Sequence, residues 1–446
     1  MIIGDDGRRR ARRFGCGFDE DIYMVSPAPP CKHHEICGLS ADISLPPEDT
    51  CILHSEYPDK PQEAFDNALE SHRQNNEKGR DFSFMIFPRT ANFSRIIFEE
   101  IGVKFVHAKF LGPANFSFAQ FKRFLTFSGA EFHGWASFEM VEFQDAVNFN
   151  ATRFNTFAHF RGAKFLGGIS WESARFNGET TFEACQFRKN VHFEYAVFTG
   201  RTLFSPLEGH VNSPGLIFDQ AAIVTFRNIT FVSPGEIIFR ETDLTKCLLL
   251  NADVRKVQFS NVIWPQINDL FEFSSYLRRC QKKLPIIASP FFKFLRRLLW
   301  KNRRRWTFAG RRFCVYDEVS QFRTAGTQPW PKIRPWPQLE RVYRQLKQNY
   351  EDQKDFQRAN DFHYGEKEAR RKNLQTDRNL KILLTGYWLF SGYGERALRP
   401  LFWIVFLTVF CAASYLLIGL EGVRHGGKTE LVWEIGYSRS TSVYKL

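Results

Sequence analysis

The stretch that decides the fold is residues 127–160, which read FSGAEFHGWASFEMVEFQDAVNFNATRFNTFAHF. An aromatic residue recurs there at intervals of five and six, and the spacing continues to residue 204. The fifteen bulky positions are Phe127, Phe132, Phe138, Phe143, Phe149, Phe154, Phe160, Phe165, Trp171, Phe176, Phe182, Phe187, Phe193, Phe198 and Phe204. Such spacing fits neither the 3.6-residue period of a helix nor the alternation of an extended strand. Because a fixed repeat overrides element-by-element assignment, the pattern predicts a solenoid.

Small residues accompany the large ones. The position two residues before each bulky side chain is mostly small or β-branched, as in Ala130, Val141 and Thr152. A chain that buries one large and one small side chain every five residues must also turn a corner every five residues. Polar and glycine-containing pairs stand where these corners are expected, namely Ser128-Gly129, His133-Gly134, Asn177-Gly178 and Thr199-Gly200. The alternative, an aromatic-rich globular core with accidental spacing, does not explain fifteen regularly spaced positions.

Residues 239–264 carry the clearest repeat units. Thr242-Asp243-Leu244 and Ala252-Asp253-Val254 resemble the unit small–Asp/Asn–Leu/Phe–x–x of the pentapeptide-repeat family, whose Phe-rich members also use an eleven-residue variant. The resemblance implies a right-handed quadrilateral β-helix with four faces per coil. Residues 91–264 would form roughly eight coils, about 38 Å long at ~4.8 Å per coil. Residues 205–238 keep only fragments of the repeat, so we expect a strained or looped-out section there.

The basic excess of the chain lies outside the predicted solenoid. The 446 residues carry a net charge of +13, yet residues 91–264 hold 17 Lys and Arg against 16 Asp and Glu. Residues 271–400 hold 29 against 12. Within them, residues 291–306 read FFKFLRRLLWKNRRRW, which is typical of an interfacial helix on anionic lipid. The alternatives for this basic segment are nucleic-acid binding and a solvated linker face. An apolar segment further along the chain favours lipid over nucleic acid as its anionic partner.

That apolar segment is residues 400–420, PLFWIVFLTVFCAASYLLIGL. It is uncharged and long enough for one transmembrane helix, with a buried globular helix as the alternative. Lys and Arg are commoner before the segment than after it, which predicts a single-pass inner-membrane protein with its N-terminal bulk in the cytoplasm. The N-terminus lacks the apolar region of a signal peptide, and the nine cysteines form no tidy framework, so a reducing compartment is expected.

Residues 338–372 predict a helical hairpin, which resembles a single tetratricopeptide-like pair and supports structural packing or partner docking. The hairpin, the sequence SGYGER at residues 391–396 and the apolar segment together resemble a block of Phe-rich membrane members of the family, some of which are similar to two-span ion channels. The GYG here precedes the apolar segment, whereas a potassium filter follows a pore helix between two spans. Residues 421–446 contain no filter and no second span, so the chain is not expected to conduct ions by itself.

The N-terminal region holds a separate group of metal-binding side chains. They are Cys31, His33, His34, Cys37, Cys51 and His54. Zinc takes four thiolate or imidazole ligands. A short proline-rich segment needs a cross-link, such as a bound metal ion, in order to fold. The predicted zinc ligands are Cys31, Cys37, Cys51 and His54, and the arrangement resembles a Cys/His module found before the solenoid in related proteins. Ordinary free thiols and surface histidines are the alternative.

These observations predict a mainly β chain: a right-handed quadrilateral β-helix followed by a basic α-helical region and one transmembrane helix. The segments are 1–62, a Cys/His module; 63–90, a capping helix and linker; 91–264, the β-helix; 265–336, a basic membrane-proximal region; 337–399, the hairpin and juxtamembrane segment; 400–420, the span; and 421–446, a short non-cytoplasmic tail. Residues 63–90 and 265–300 are the expected caps of the stack.

The expected function is a membrane-anchored cytoplasmic scaffold that presents the rod to an unknown protein partner. Since no P-loop or catalytic set appears and the solenoid histidines fall at outward or corner positions, we do not expect an enzyme. The alternative is a regulatory or C-terminally truncated subunit of a two-span ion channel, co-assembling with channel subunits. DNA mimicry against a topoisomerase requires a strongly acidic rod, and the near-neutral solenoid and the predicted span both count against it. Nucleic acid is not an expected partner, because the downstream apolar segment favours lipid.

Overall fold

The computed structural model describes residues 30–37, 39, 50–57, 59–74, 80–99, 102–206, 217–268, 311–323, 335–418, 420–425 and 428–433. The chain is a mainly β, right-handed-like solenoid of about seven turns, followed by C-terminal helices. The repeat therefore predicted the architecture correctly. The predicted interfacial segment at residues 291–306 lies outside the described residues.

Four parallel sheets form the four faces of the solenoid, and each coil contributes a strand to a face in turn. Face 1 consists of β1 Ile86–Phe87, β5 Lys109–Phe110, β9 Glu131–Phe132, β13 Arg153–Phe154, β17 Arg175–Phe176, β21 Val197–Phe198 and β24 Thr230–Phe231. Face 2 consists of β2 Ala91–Asn92, β6 Ala114–Asn115, β10 Ala136–Ser137, β14 Ala158–His159, β18 Thr180–Thr181, β22 Thr202–Phe204, β25 Ile237–Arg240 and β27 Gln258–Ser260.

The other two faces complete the coil. Face 3 consists of β3 Ile97–Phe98, β7 Gln120–Phe121, β11 Glu142–Phe143, β15 Lys164–Phe165 and β19 Gln186–Phe187. Face 4 consists of β4 Val103–Lys104, β8 Leu125–Thr126, β12 Val147–Asn148, β16 Ile169–Ser170, β20 Val191–His192, β23 Val224–Thr225 and β26 Cys247–Leu248. Because Ala136 pairs with Ala158, one coil takes 22 residues, or two eleven-residue units.

The core is a set of stacked phenylalanine columns. Phe138 lies flat between Phe116 and Phe160, with ring centroids 5.0 Å away on either side. Rings of adjacent columns meet edge to face, as Phe149 does with Phe160 at 5.9 Å. The small residues before them, such as Ala136, are also buried, which confirms the predicted inward pair. Offset-stacked and edge-to-face rings are the arrangements that aromatic quadrupoles favour.

Two kinds of corner alternate along the chain. At the first kind, Ala130 N–H donates to the Phe127 carbonyl at 2.9 Å across a turn whose third residue, Gly129, has a φ of 67°. A positive φ at that position defines a type II turn. Most equivalent positions carry residues other than glycine: Phe84, Arg95, His107, Phe118, Met140, Ala151, Ser173, Ala184 and Tyr195. At the second kind of corner, a Cβ on Gly134 would lie 2.4 Å from the Gly112 carbonyl carbon of the preceding coil.

The section at 205–238 stays within the stack despite its broken repeat. Phe198 pairs with Phe231, which is 33 residues further along instead of 22. Phe218, Phe226 and Phe231 are buried in their columns. Nine of these eleven additional residues lie between Phe204 and Phe218. Residues 207–216 of that stretch lie outside the described residues, so a looped-out section there stays a prediction. Since these residues add length without adding a coil, the solenoid has about seven turns instead of the expected eight.

Helices cover both ends of the stack. At the first coil, α1 (His34–Cys37) and α2 (Gln62–Gln74) precede β1, and α2 buries Phe65 and His72. At the last coil lie β28 (Gln266–Asn268), which pairs antiparallel with β29 (Arg311–Phe313), and helix α3 (Tyr316–Arg323). The predicted helical hairpin follows as α4 (Trp336–Asp352) and α5 (Phe356–Lys372).

The hairpin satisfies backbone groups that the last coil leaves without a neighbouring strand. The Asn349 side-chain amide donates to the carbonyls of Val254 and Val257, both at 2.7 Å. Trp264 Nε1 donates to Tyr350 Oη at 2.7 Å. The described C-terminal cap is therefore the hairpin, whereas the sequence placed this cap at 265–300, most of which lies outside the described residues.

A buried ionic network holds the cap together. Arg312 pairs with Glu318 at 2.8 Å, and both side chains are buried. Glu368, fully buried, accepts from Arg371 at 2.5 Å and from Lys372 at 3.0 Å. Burial by itself raises the pKa of Glu368, but these two cations outweigh it and hold that pKa well below its usual range.

Helix α6 (Arg378–Ser391), helix α7 (Leu398–Ile418) and the antiparallel strands β30 (Leu420–His425) and β31 (Lys428–Trp433) follow the cap. The sequence predicted a transmembrane helix over residues 400–420. Among the described residues, no helix combines the length and the apolar character needed to cross a membrane. The predicted span is therefore not found.

Candidate metal centre and exposed aromatic face

The four predicted zinc ligands lie together in a buried cluster. The Sγ atoms of Cys31, Cys37 and Cys51 and a ring nitrogen of His54 are all within 4.8 Å of one another. Cys51 Sγ is 3.7 Å from Cys37 Sγ and 3.2 Å from His54 Nδ1. In a tetrahedral zinc site, bond lengths near 2.3 Å for sulfur and 2.0 Å for nitrogen place neighbouring ligand atoms about 3.5–3.8 Å apart. The donor set and its spacing fit zinc.

Local backbone geometry presents these four ligands. Helix α1 carries Cys37, and a turn in which His54 N–H donates to the Cys51 carbonyl at 3.0 Å brings Cys51 and His54 to one side. The Cys51 N–H also donates to Cys31 Sγ at 3.3 Å. His54 Nε2 lies 3.2 Å from the Ser83 carbonyl, which directs the other ring nitrogen, Nδ1, toward the sulfurs.

The thiols of Cys51 and Cys37 affect each other's ionisation. The hydrogen bond from Cys51 to Cys37 lowers the pKa of Cys37 and raises the pKa of Cys51. A divalent cation bound here would displace the proton of that hydrogen bond, since metal ligands must be deprotonated.

The cluster is joined to the first coil of the rod. Lys60, beside it, donates from Nζ to the carbonyls of Ile52, Ser55 and Ile86 at 2.7–3.1 Å, and burial lowers its pKa to about 7. His33 is not part of the cluster, because its ring stacks on Phe84 at 4.7 Å. A metal held by four buried protein ligands would have no open position for substrate, which is the arrangement of structural zinc sites.

A second feature lies on the surface of face 2. Four large apolar side chains there are between 40% and 54% exposed: Phe118, Trp135, Met140 and Phe157. We call this set the aromatic face. Phe118 and Met140 occupy left-handed positions at one corner, whereas Trp135 and Phe157 lie 22 residues apart at the other. The polar side chains of Ser137 and His159 lie on the strands between them.

Sequence reasoning missed the aromatic face because it assigned aromatic residues to the core. The sequence does indicate these residues by their position. Trp135 and Phe157 each stand immediately before a small inward residue, and neither belongs to the series of bulky residues spaced by five and six. Large exposed apolar side chains gathered on one side of a folded surface are typical of an interaction site. The solenoid histidines His107, His133, His159 and His192 are all exposed, as predicted.

Residues 127–174 match the family model for pentapeptide repeats (9 copies). Comparison with curated proteins and with solved structures gave no match. The matched segment lies inside the four-faced solenoid, so the pentapeptide-repeat resemblance of the rod is confirmed. A pentapeptide-repeat solenoid is a structural fold and usually non-catalytic.

Proposed function

We propose that this protein is a non-catalytic scaffold that binds a protein partner through the aromatic face. The observation that carries the proposal is the exposure of Phe118, Trp135, Met140 and Phe157 on a rigid rod whose other phenylalanines are mostly buried. Aromatic side chains are the usual anchors of protein interfaces, because they offer a large apolar area at small entropic cost. The strands of face 2 already pair along the rod, so contact there is made by side chains.

The test introduces a photo-crosslinking amino acid at Trp135 or Phe157 of the full chain in its native cells. The control position is Val232, an exposed apolar residue that follows β24 several coils further along the rod. We expect a discrete protein adduct at 135 and 157, reduced by Met140→Ser, and none at 232. The absence of an adduct at either test position, or the same adduct at 232, would refute the proposal.

The Cys/His cluster, in this proposal, holds one zinc ion that fixes the N-terminal cap to the rod. Supporting this are the set of four ligands, ligand-atom distances that suit a tetrahedral site, and the contact of His54 Nε2 with the Ser83 carbonyl. Metal analysis of the purified chain should give one zinc per chain, and Cys51→Ser should abolish it. Cys185→Ser serves as control, because that thiol is buried in the rod and donates to the Phe160 carbonyl. Equal zinc in both variants would exclude the site.

The proposal also includes attachment to the inner membrane through α7, with the rod on the cytoplasmic side. Support comes from apolar side chains of α7 that are exposed along its length, among them Leu401, Ile404, Leu407 and Phe410. Flotation of the full chain with lipid vesicles tests attachment, and a chain lacking residues 398–446 should remain at the bottom of the gradient. Equal flotation of both chains would contradict a role for α7.

The alternative is a regulatory or C-terminally truncated channel subunit, which predicts co-assembly with channel subunits that complete the pore. The described tail residues 420–425 and 428–433 form the β30–β31 hairpin. Because no feature of the described tail favours that alternative, the scaffold is the function we propose.

A further inference from the structure

Helix α6 has two apolar faces, and the protein covers one of them. Leu384 and Trp388 are buried against α5 and the turn that follows α6. On the opposite side, Ile382, Leu383 and Phe390 are between 53% and 65% exposed. Tyr387, at the edge of this face, is 43% exposed and meets the Tyr393 ring edge to face at 5.7 Å. A surface helix of a globular protein normally presents polar residues outward. The outer face of α6 therefore needs a covering that the chain itself does not supply among the described residues.

Contacts on the inner side fix this orientation. Trp388 Nε1 donates to Tyr364 Oη at 2.9 Å, and the Arg371 guanidinium lies 4.5 Å from the Trp388 ring centroid. At the end of α6, Gly392 takes a left-handed φ of 59° and terminates the helix. Since rotation of α6 would break these contacts, the outer face cannot turn inward.

The outer face of α6 is continuous with α7. The Phe390 and Trp403 ring centroids are 5.2 Å apart, and Trp403 Nε1 donates to the Leu389 carbonyl at 3.0 Å. The apolar surface therefore runs from α6 onto the exposed side chains of α7 without a polar break at this junction.

The charge around the two helices is positive. Residues 378–418 contain four basic side chains against one acid, Glu395. Two of the four, Arg378 and Lys381, lie in the first turn of α6 beside its exposed face. Basic residues flanking an apolar helix face are the composition of helices that lie in the headgroup region of anionic bilayers. A second copy of this chain would bring the same positive charges together.

We propose that α6 lies flat in the headgroup region of an anionic bilayer, with Ile382, Leu383 and Tyr387 toward the acyl chains. This inference rests on the proposed attachment through α7 and adds a second contact. Helix α6 would set the orientation of the cap, and thus of the rod, relative to the membrane surface.

The test introduces p-benzoyl-phenylalanine at Tyr387 of the full chain, bound to vesicles of phosphatidylcholine and phosphatidylglycerol. The matched control carries p-benzoyl-phenylalanine in place of Phe356, an exposed aromatic residue at the start of α5 on the same cap. After irradiation of the floated fraction, mass spectrometry should find a phospholipid adduct at 387 and none at 356. Replacing Ile382 and Leu383 together by Ser should cause loss of the adduct at 387 without changing the circular dichroism.

Failure of the inference and failure of the attachment proposal have different signatures. A chain that floats without a lipid adduct at 387, or with one equally at 356, overturns the placement of α6 and leaves attachment intact. A protein–protein adduct at 387 assigns the face to a second copy or another protein. A chain that does not float refutes attachment and the placement of α6 with it.

Discussion

Replacing Phe160 by Ala removes one ring from the middle of a column and tests the packing of the rod directly. The ring is fully buried between Phe138 and Phe182, at centroid distances of 5.0 and 5.2 Å. Truncating a buried phenylalanine costs about 3–5 kcal/mol, and the cost rises with the cavity that remains. Here the Phe160 N–H donates to the Thr181 carbonyl of the next coil at 2.9 Å, so the backbone cannot move in to fill the space. We therefore expect the upper half of that range.

The matched control is Phe157→Ala, three residues earlier in the same coil and half exposed on the aromatic face. It should change stability by less than about 0.5 kcal/mol. Since solenoids unfold in segments, hydrogen exchange of the coils around residue 160 should be measured together with denaturant unfolding. A loss below ~1 kcal/mol for Phe160→Ala, or equal losses for both variants, would mean that the assigned register is wrong.

Three further predictions concern the caps. Asn349→Ala leaves two carbonyls of the last coil without donors and should cost about 1–3 kcal/mol, with faster hydrogen exchange confined to the C-terminal coils; unchanged exchange there would contradict the capping role. Because folding lowers the pKa of Glu368, its carboxylate stabilises the cap above its unfolded pKa, near 4.5, and that contribution is lost as the pH falls below this value. In Glu368→Gln, the free energy of unfolding should therefore fall less steeply as the pH is lowered below about 4.5. The same pH dependence in both chains would contradict the stabilising role of this carboxylate. Zinc removal by a chelator should lower the melting temperature of the wild-type chain but not of Cys51→Ser, and equal shifts in both would point to chelation elsewhere.

The rod was predictable from sequence because its core is periodic. Every coil buries large and small side chains at the same spacing. The spacing of Phe127, Phe132 and Phe138 therefore determines which face each residue joins and how successive coils pair. The Cys/His cluster was predictable for a related reason, since Cys51 and His54 have the spacing that one turn brings together. The periodic spacing carries this information for the rod, whereas in the cluster local spacing accounts only for the Cys51–His54 pair, since Cys37 lies 14 residues from Cys51.

Other features depend on contacts between distant segments, which spacing does not reveal. Asn349 caps carbonyls more than ninety residues away, and nothing in its own neighbourhood indicates this role. The left-handed corners were hidden because residues such as Phe118 and Met140 occupy them instead of glycine. Stacking of coils stabilises these strained positions, so the residue type no longer identifies the turn.

The added length of chain between Phe204 and Phe218 has a consequence for the evolution and engineering of the rod. Phe204 still stacks on Phe239 at 4.7 Å, and Phe187 stacks on Phe218 at 5.4 Å, although the chain between Phe204 and Phe218 is longer than a corner requires. A corner is therefore a point where sequence can be added without disturbing the stacked rings on either side. Binding loops or whole modules grafted at such corners would lie at regular distances along the rod, because each 22-residue coil advances the chain by the same distance.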